Sequence, residues 1–273
     1  MTAIATAARV PVAFFRRDRI IETSYRAGFI LRLGSALVTV AVFFFISHSF
    51  GDAATSQIQR YGGDYFAFVL VGVALTEFLA QSVGGLGSSL RESQTTGTLE
   101  LMLLSPSRLP VLMLSSSLWL QASATLGAAT YLVAGALLGA DFGHADLVAT
   151  VGALLLTMIG FTGMGLLAGG VVIVIKRGNP VGWLLRGASI VLGGVFYPTD
   201  ILPSGLQALG QLLPMTHALA VLRGSILAGE GIVQMLPSFV ALTVLSFGYL
   251  GLGLLACAAA IRYARTDGSL AQY

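Results

Sequence analysis

The sequence is poor in charged residues, and it contains only one lysine, one cysteine and three histidines. Charged residues make up 10% of the 273 positions, whereas a soluble domain of ordinary composition has about 25%. So few charges cannot cover a water-exposed surface. Together with the 56% hydrophobic content, they indicate that lipid surrounds most of the chain. The single cysteine, Cys257, excludes a disulfide within the chain.

The scarcity of lysine and histidine also excludes several kinds of chemistry. A P-loop requires G-x-x-x-x-G-K-[ST], and the only lysine, Lys176, lies in IVIKRGNP, so hydrolysis of ATP by a P-loop of this chain is excluded. No H-E-x-x-H motif is present, and no histidine lies near the middle of an apolar segment, where an intramembrane serine protease would need one. We therefore expect no enzyme activity, no catalytic, cofactor-binding or metal-binding residues, and no nucleic-acid partner.

Six apolar segments are long enough to be considered as membrane spans. A hydrocarbon core of about 30 Å requires about 20 apolar helical residues. Windows of that size predict an all-α polytopic membrane protein that forms a single domain over residues 1–273. The predicted spans cover residues 29–48, 65–89, 109–139, 147–175, 181–197 and 235–261.

The distribution of basic residues predicts the orientation. With a cytoplasmic N-terminus, only Arg60 and Arg223 of the 15 basic residues fall outside. The opposite orientation would invert this distribution and violate the positive-inside rule. We therefore expect both termini in the cytoplasm and a multi-pass location in the cell membrane, and the preference for arginine over lysine suggests a high-GC bacterium.

Residues 9–28 are too charged to form a span. Val10, Phe14, Ile21 and Tyr25 approximate one helical face, and arginines occupy much of the rest. This pattern predicts an amphipathic helix in the cytoplasmic interface, where arginines reach anionic headgroups. The alternative is a solvated basic extension that only supplies positive charge.

The loop at 91–108 predicts a short helix on the cytoplasmic side. Gly97 followed by Glu100 resembles a capping arrangement, and Pro106 ends the segment because proline disfavours helix in the residue before it. A helix of about two turns is marginal in water. A partner surface is therefore expected to hold its apolar side, and the alternative is a tight turn packed on the chain itself.

Residues 198–233 predict two further short helices, outside the membrane core or re-entrant into it. Pro203 and Pro214 divide this segment into apolar stretches, each too short to span. Re-entrant or interfacial helices fit this pattern, and a partly soluble extracytoplasmic cap is the alternative.

Two polar stripes lie within the apolar segments. Glu77 and Gln81 share one face of the second segment, and Ser117 and Gln121 share one face of the third. A carboxylate in a span is a candidate functional group because its burial in lipid is costly. These four residues are candidates for lining a substrate path, and hydrogen bonding between helices is the alternative.

Three motifs resemble type-2 ATP-binding-cassette (ABC) exporter permeases. Glu92 with Gly97-Thr98-Leu99-Glu100 and Leu103-Leu104-Ser105-Pro106 is similar to the first cytoplasmic loop of that family. The sequence GVFYP at 194–198, followed by LPMTH at 213–217 and by Leu222-Arg223, resembles the signature before its last span. The opening FFRRD at 14–18 is similar to its N-terminal interfacial helix.

The resemblance implies the transmembrane subunit of an ABC exporter. Two permeases, identical or different, would pair above two cytoplasmic ATPase subunits, and the segment 91–106 would form the coupling helix that docks on an ATPase. The docking residues it implies are Glu92, Gly97, Thr98, Leu99, Glu100, Met102 and Leu103. The expected cargo is amphipathic: a drug, a lipid or a lipid-linked glycan. A proton-coupled secondary transporter that uses Glu77 is the alternative.

Overall fold

The structure, a computed structural model, describes residues 2–24, 26–61, 64–95, 97, 109–175 and 178–266. Within these residues all the regular structure is helical. The α-helices are α1 (Thr2–Ser24), α2 (Arg26–Ile58), α3 (Tyr65–Thr95), α4 (Leu109–Leu137), α5 (Leu147–Ile175), α6 (Pro180–Leu192), α7 (Ser204–Gly210), α8 (Pro214–Leu227) and α9 (Leu236–Thr266). Short 3₁₀ turns occupy Gln59–Tyr61 and Thr199–Ile201.

Local residues explain where several helices begin. The Asp64 carboxylate accepts hydrogen bonds from the backbone N–H groups of the first turn of α3, and the Asp146 carboxylate accepts one from Ala149 in α5 (2.9 Å). Asn179 caps α6 in the same way. Aspartate and asparagine are preferred at these positions because they satisfy backbone donors that lack a partner within the helix.

Five helices of the described residues are long and apolar enough to cross a membrane, and they correspond to five of the six predicted spans. The predicted span at 181–197 differs, because α6 has only 13 residues. At 1.5 Å per residue this helix is about 20 Å long, which is less than the hydrocarbon core. The chain leaves α6 through Gly193 and Gly194, and Gly194 has a positive φ of 74°. The six-span count therefore stays a prediction.

The α7–α8 pair begins near the two prolines identified in the sequence. Pro203 directly precedes α7, and Pro214 is the first residue of α8. The first residue of α8, Pro214, lies near the middle of α5, because a Cβ added to Gly160 would be 3.3 Å from it. Near the other end of α8, the Ser225 carbonyl accepts a hydrogen bond from the backbone N–H of Asp146, just before α5. Helix α8 therefore runs inside the bundle, alongside the first half of α5, rather than beyond its end.

Glycines allow α5 and α9 to pack backbone to backbone. A Cβ on Gly163 would overlap the main chain of Tyr249 and Leu250, and one on Gly253 would overlap the carbonyl of Gly163. Small residues permit this close approach, which is a main source of helix association in lipid. The largest buried cluster lies beside this contact and joins α3, α5, α8 and α9.

Helix α1 packs against α4, and its boundaries differ from the predicted 9–28. Phe15 makes an edge-to-face contact with Trp119 (5.2 Å between ring centroids), and Val12 on another side is 67% exposed. The helix ends at Ser24, and α2 starts at Arg26. Its placement in a membrane interface stays a prediction.

The predicted coupling helix falls largely outside the described residues. Thr98, Leu99, Glu100, Met102 and Leu103 belong to the segment 98–108, which the structure does not describe. Glu92 is exposed near the end of α3, and Gly97 has a φ of 70°. A left-handed residue just after a helix is typical of a helix C-terminus.

Candidate functional site

A cavity of about 900 Å³ lies between α1, α2, α3 and α4. One side of it is formed by residues 28–36 at the start of α2, and α3 contributes Glu77 and Gln81. Glu77 follows Tyr65 by 12 residues, which places it about 18 Å along α3. That depth is close to the middle of a hydrocarbon core of about 30 Å. The cavity therefore extends from the α1–α2 corner to mid-bundle.

Glu77 is a half-buried carboxylate that makes no hydrogen bond or ion pair within the described residues. It interacts electrostatically with Tyr131, which also lines the cavity. Gln81 lies one helical turn further along α3. Its side-chain amide contacts α4 at Gly127, because a Cβ added to Gly127 would lie 3.2 Å from Gln81 Nε2. An acid and an amide therefore face the same space, as helical spacing predicted for α3.

Aromatic and hydroxyl side chains of α4 form the opposite wall. They recur at helical spacing, and the lining residues of α4 are Trp119, Ala122, Ser123, Leu126, Gly127, Thr130 and Tyr131. This face was not identified from the sequence, although its period of three and four residues was available as a signal.

An ion pair lies at the α1–α2 side of the cavity. The Glu22 carboxylate bonds to Arg32 (2.9 Å) and accepts a hydrogen bond from the indole N–H of Trp119. These contacts tie the end of α1 to α2 and α4. Because Glu22 and Arg32 neutralise each other, Glu77 leaves the cavity lining with one excess negative charge when ionised.

Gln121 and Ser117, the other two candidates for a path, face away from this cavity. Gln121 is 7% exposed; its amide donates to the Thr162 hydroxyl of α5 (2.6 Å), and its carbonyl accepts from Ser82 of α3 (3.3 Å). Ser117 is also buried and donates to the carbonyl of Leu114 (2.8 Å) in its own helix. Gln121 thus links helices, which was the alternative for these residues, whereas the hydrogen bond of Ser117 stays within its own helix. A role of either residue in a substrate path stays a prediction.

Arg223 forms a second polar centre, which the sequence pattern did not predict. Its side chain is 3% exposed, and it donates to the carbonyls of Gly194 (2.8 Å), Val195 (2.6 Å) and Phe68 (3.2 Å). The guanidinium also lies 3.5 Å from the Phe68 ring centroid. Gly72 makes room for it, because an added Cβ would be 2.8 Å from Nη2. Arg223 thereby joins α8, α3 and the turn after α6.

The side chains available in the described residues bear on which ligands the two polar centres could hold. The described residues contain no group of three or more histidine, cysteine, aspartate or glutamate side chains that could hold a metal ion. The cavity combines one carboxylate, amide and hydroxyl groups, and apolar walls. This combination of apolar walls and a few polar groups is typical of pockets that bind small molecules.

The five apolar helices of the described residues define a multi-pass helical membrane protein, and a mostly apolar cavity opens between four of its helices. A family model described as ABC-2 type transporter matches residues 14–227. The chain belongs to this ABC-2 type transporter family, and it is a permease of an ABC transporter. Permeases of this family work with an ABC ATPase partner and are normally without ATPase activity themselves. No curated protein matches the chain.

Proposed function

We propose that this permease is the transmembrane subunit of an ATP-driven exporter and that the cavity around Glu77 forms part of the path of an amphipathic substrate. The observation that carries the proposal is the cavity itself: about 900 Å³ of mostly apolar space reaching mid-bundle, with a carboxylate and an amide at its deep end. An ionisable group at that depth is costly unless it is paired or hydrated, and such groups commonly mark substrate paths. The proposed substrate is a drug, a lipid or a lipid-linked glycan.

The positive-inside distribution supports an orientation with both termini in the cytoplasm, and the preference for arginine over lysine supports a bacterial origin. In that orientation the start of α2 lies at the cytoplasmic side, so the cavity is accessible from the inner leaflet. A substrate then enters laterally near residues 28–36 and leaves towards the Asp64 end of α3. The complete path is formed with a second permease, either a copy of this chain or a different one.

The segment 91–106 is proposed as the docking site of the ATPase. The segment connects α3 with α4. A Cβ added to Gly87, near the end of α3, would lie 2.9 Å from the side-chain amide of Asn179, so the segment lies at the same end of the bundle as Asn179. ATP binding and hydrolysis in the partner would move this segment and, through the two helices that also line the cavity, change access to Glu77.

A charge substitution in this segment tests the docking proposal. Leu99→Glu places a carboxylate on the apolar side of the proposed coupling helix, and burial of an unpaired charge at an interface should weaken ATPase binding about tenfold or more. Leu138→Glu, at an exposed leucine beyond the far end of α4, is the matched control. Both variants are purified with the ATPase, and the recovered ATPase is quantified.

The expected result is loss of the ATPase from Leu99→Glu and retention by Leu138→Glu, with equal membrane insertion of both. Equal recovery of the ATPase with the two variants would show that the segment is not the docking site. ATP-independent transport that persists with only a proton gradient would instead support the secondary-transporter alternative.

A further inference from the structure

The charge balance of the cavity distinguishes between classes of amphipathic ligand. Its charged lining residues are Glu22, Arg32 and Glu77, and the first two form an ion pair. Of the ion pairs that the structure gives for the described residues, none involves Glu77. An anionic ligand would therefore meet an uncompensated carboxylate, whereas a cationic ligand would supply its missing partner.

The walls around Glu77 suit the rest of such a ligand. The aromatic residues Tyr131 and Trp119 line the cavity together with Leu126 and Leu33. Aromatic rings attract cations through their negative faces, and apolar walls bind hydrocarbon. The volume lies within the range of about 300–1,000 Å³ typical of small-molecule sites.

The position of Glu77 distinguishes binding from a purely structural role. Two buried polar side chains of this bundle are paired with other elements: Gln121 with Thr162 and Ser82, and Arg223 with three carbonyls. The hydroxyls of Ser189 and Ser246 are buried without a partner among the described residues, but they carry no charge. Glu77 has no such pairing among the described residues, although it lies near the middle of a candidate span. An unpaired ionisable group at that depth is expected to face a ligand or water.

We infer that the cavity between α1, α2, α3 and α4 binds a monovalent lipophilic organic cation, with the Glu77 carboxylate as its counter-ion and with Tyr131 and Trp119 against its apolar groups. This inference rests on the proposed exporter function and names the substrate class of the same site. On ligand binding, the Glu22–Arg32 ion pair at the side of the cavity stays intact. Glu77 is then the charged residue that favours a cationic over an anionic ligand.

The two tryptophans of the chain provide a direct reporter. Trp119 lines the cavity, whereas Trp183 is 77% exposed on α6. In a Trp183→Phe background, Trp119 is the only tryptophan. The full-length chain is placed in nanodiscs without ATPase or nucleotide and titrated with tetraphenylphosphonium or with tetraphenylborate, which has nearly the same shape and the opposite charge.

The expected result is a saturable change in Trp119 fluorescence with the cation and none with the anion, after subtraction of empty nanodiscs. Removing the counter-ion in Glu77→Gln should weaken cation binding about tenfold or more, because the pair lies in a medium of low dielectric constant. Glu77→Asp should retain most of the binding, and Asp200→Asn, an exposed carboxylate outside the cavity, should bind like the parent.

Equal affinity of the parent and Glu77→Gln for the cation, or saturable binding of the anion at the same site, would overturn the inference. A loss of binding in Glu77→Asp as severe as in Glu77→Gln would also contradict it, because charge would then not be the determinant. Since the titration contains no ATPase, its failure leaves the docking result of Leu99→Glu unaffected, and a failure of docking leaves the titration interpretable.

Discussion

The two sides of α3 differ in how the chain fills space. On one side α5, α8 and α9 form the packed half, where the backbones of Gly163 and Gly253 approach closely and nearly all of α8 is buried. On the other side α1, α2 and α4 form the open half, which encloses the cavity and keeps Glu77 unpaired among the described residues. Helix α3 belongs to both halves, with buried Phe78 facing the first and Glu77 facing the second.

This difference separates stability from binding along the same bundle. Lipid offers no hydrophobic driving force for bringing helices together, so close packing and internal hydrogen bonds must hold the fold. These features concentrate in the packed half and in the Gln121 contacts with Ser82 and Thr162. The open half keeps space and, among the described residues, an unpaired carboxylate, and this is where we propose that a ligand binds. Substitutions in the packed half should mainly lower stability, whereas substitutions in the open half should mainly weaken binding.

The largest effect on stability is expected from Arg223→Met. The substitution keeps a similar volume but leaves the carbonyls of Gly194 and Val195 without their donors. Unsatisfied buried acceptors cost about 1–3 kcal/mol each, so we expect a loss of roughly 3 kcal/mol or more. The measurement is thermal unfolding of the purified chain in detergent. Arg223→Lys retains the charge but not the forked geometry, so its melting temperature should fall between those of the parent and of Arg223→Met. Melting of Arg223→Met at the parent temperature would contradict the assigned role.

A smaller effect on stability is expected from Gly253→Ala, compared with Gly251→Ala in the same helix. A methyl group on Gly253 would overlap the Gly163 carbonyl and crowd the Leu166 side chain, whereas nothing lies within 4 Å of one on Gly251. Overpacking of this kind costs about 1–3 kcal/mol. The two variants are compared by thermal unfolding, and Gly251→Ala should melt like the parent. Equal melting temperatures would show that α5 and α9 are not in backbone contact.

The smallest effect on stability is expected from Glu77→Gln. Because Glu77 has no partner in the described residues, the substitution breaks no contact and removes a charge from an apolar environment. Its melting temperature should equal or slightly exceed that of the parent, within about 1 kcal/mol in free energy of unfolding. The same unfolding assay measures it. A clear loss of stability would mean that Glu77 has a structural partner. The open half would then contribute to stability as the packed half does.

Much of the helix layout could be predicted from the sequence because long apolar runs and their caps are local signals. Five predicted spans coincide with long helices, and Pro203 and Pro214 stand where α7 and α8 begin. The predicted span at 181–197 is longer than α6. The apolar letters continue through Val195 and Phe196, and only the Gly193-Gly194 pair indicates the turn there.

The site was only half predictable. Helical spacing showed that Glu77 and Gln81 share a face and that Ser117 and Gln121 share another, but it does not show which neighbour a face meets. In the structure the second face meets α3 and α5, and the cavity wall of α4 lies around Trp119 instead. Arg223 was placed on the outside, within the predicted short helices of 198–233. Its burial was not predicted because its carbonyl partners are 28 or more residues away in the sequence.

ATP-driven transport of a lipophilic cation tests the proposed role of the cavity most directly. The permease and its ABC ATPase are co-reconstituted in proteoliposomes with the ATPase outside, and uptake of labelled tetraphenylphosphonium is followed with ATP or with a proton gradient alone. Uptake is expected to require ATP, to be lost in Glu77→Gln and to remain in Asp200→Asn. Uptake driven by the proton gradient without ATP, or ATP-dependent uptake undiminished in Glu77→Gln, would contradict the proposed role.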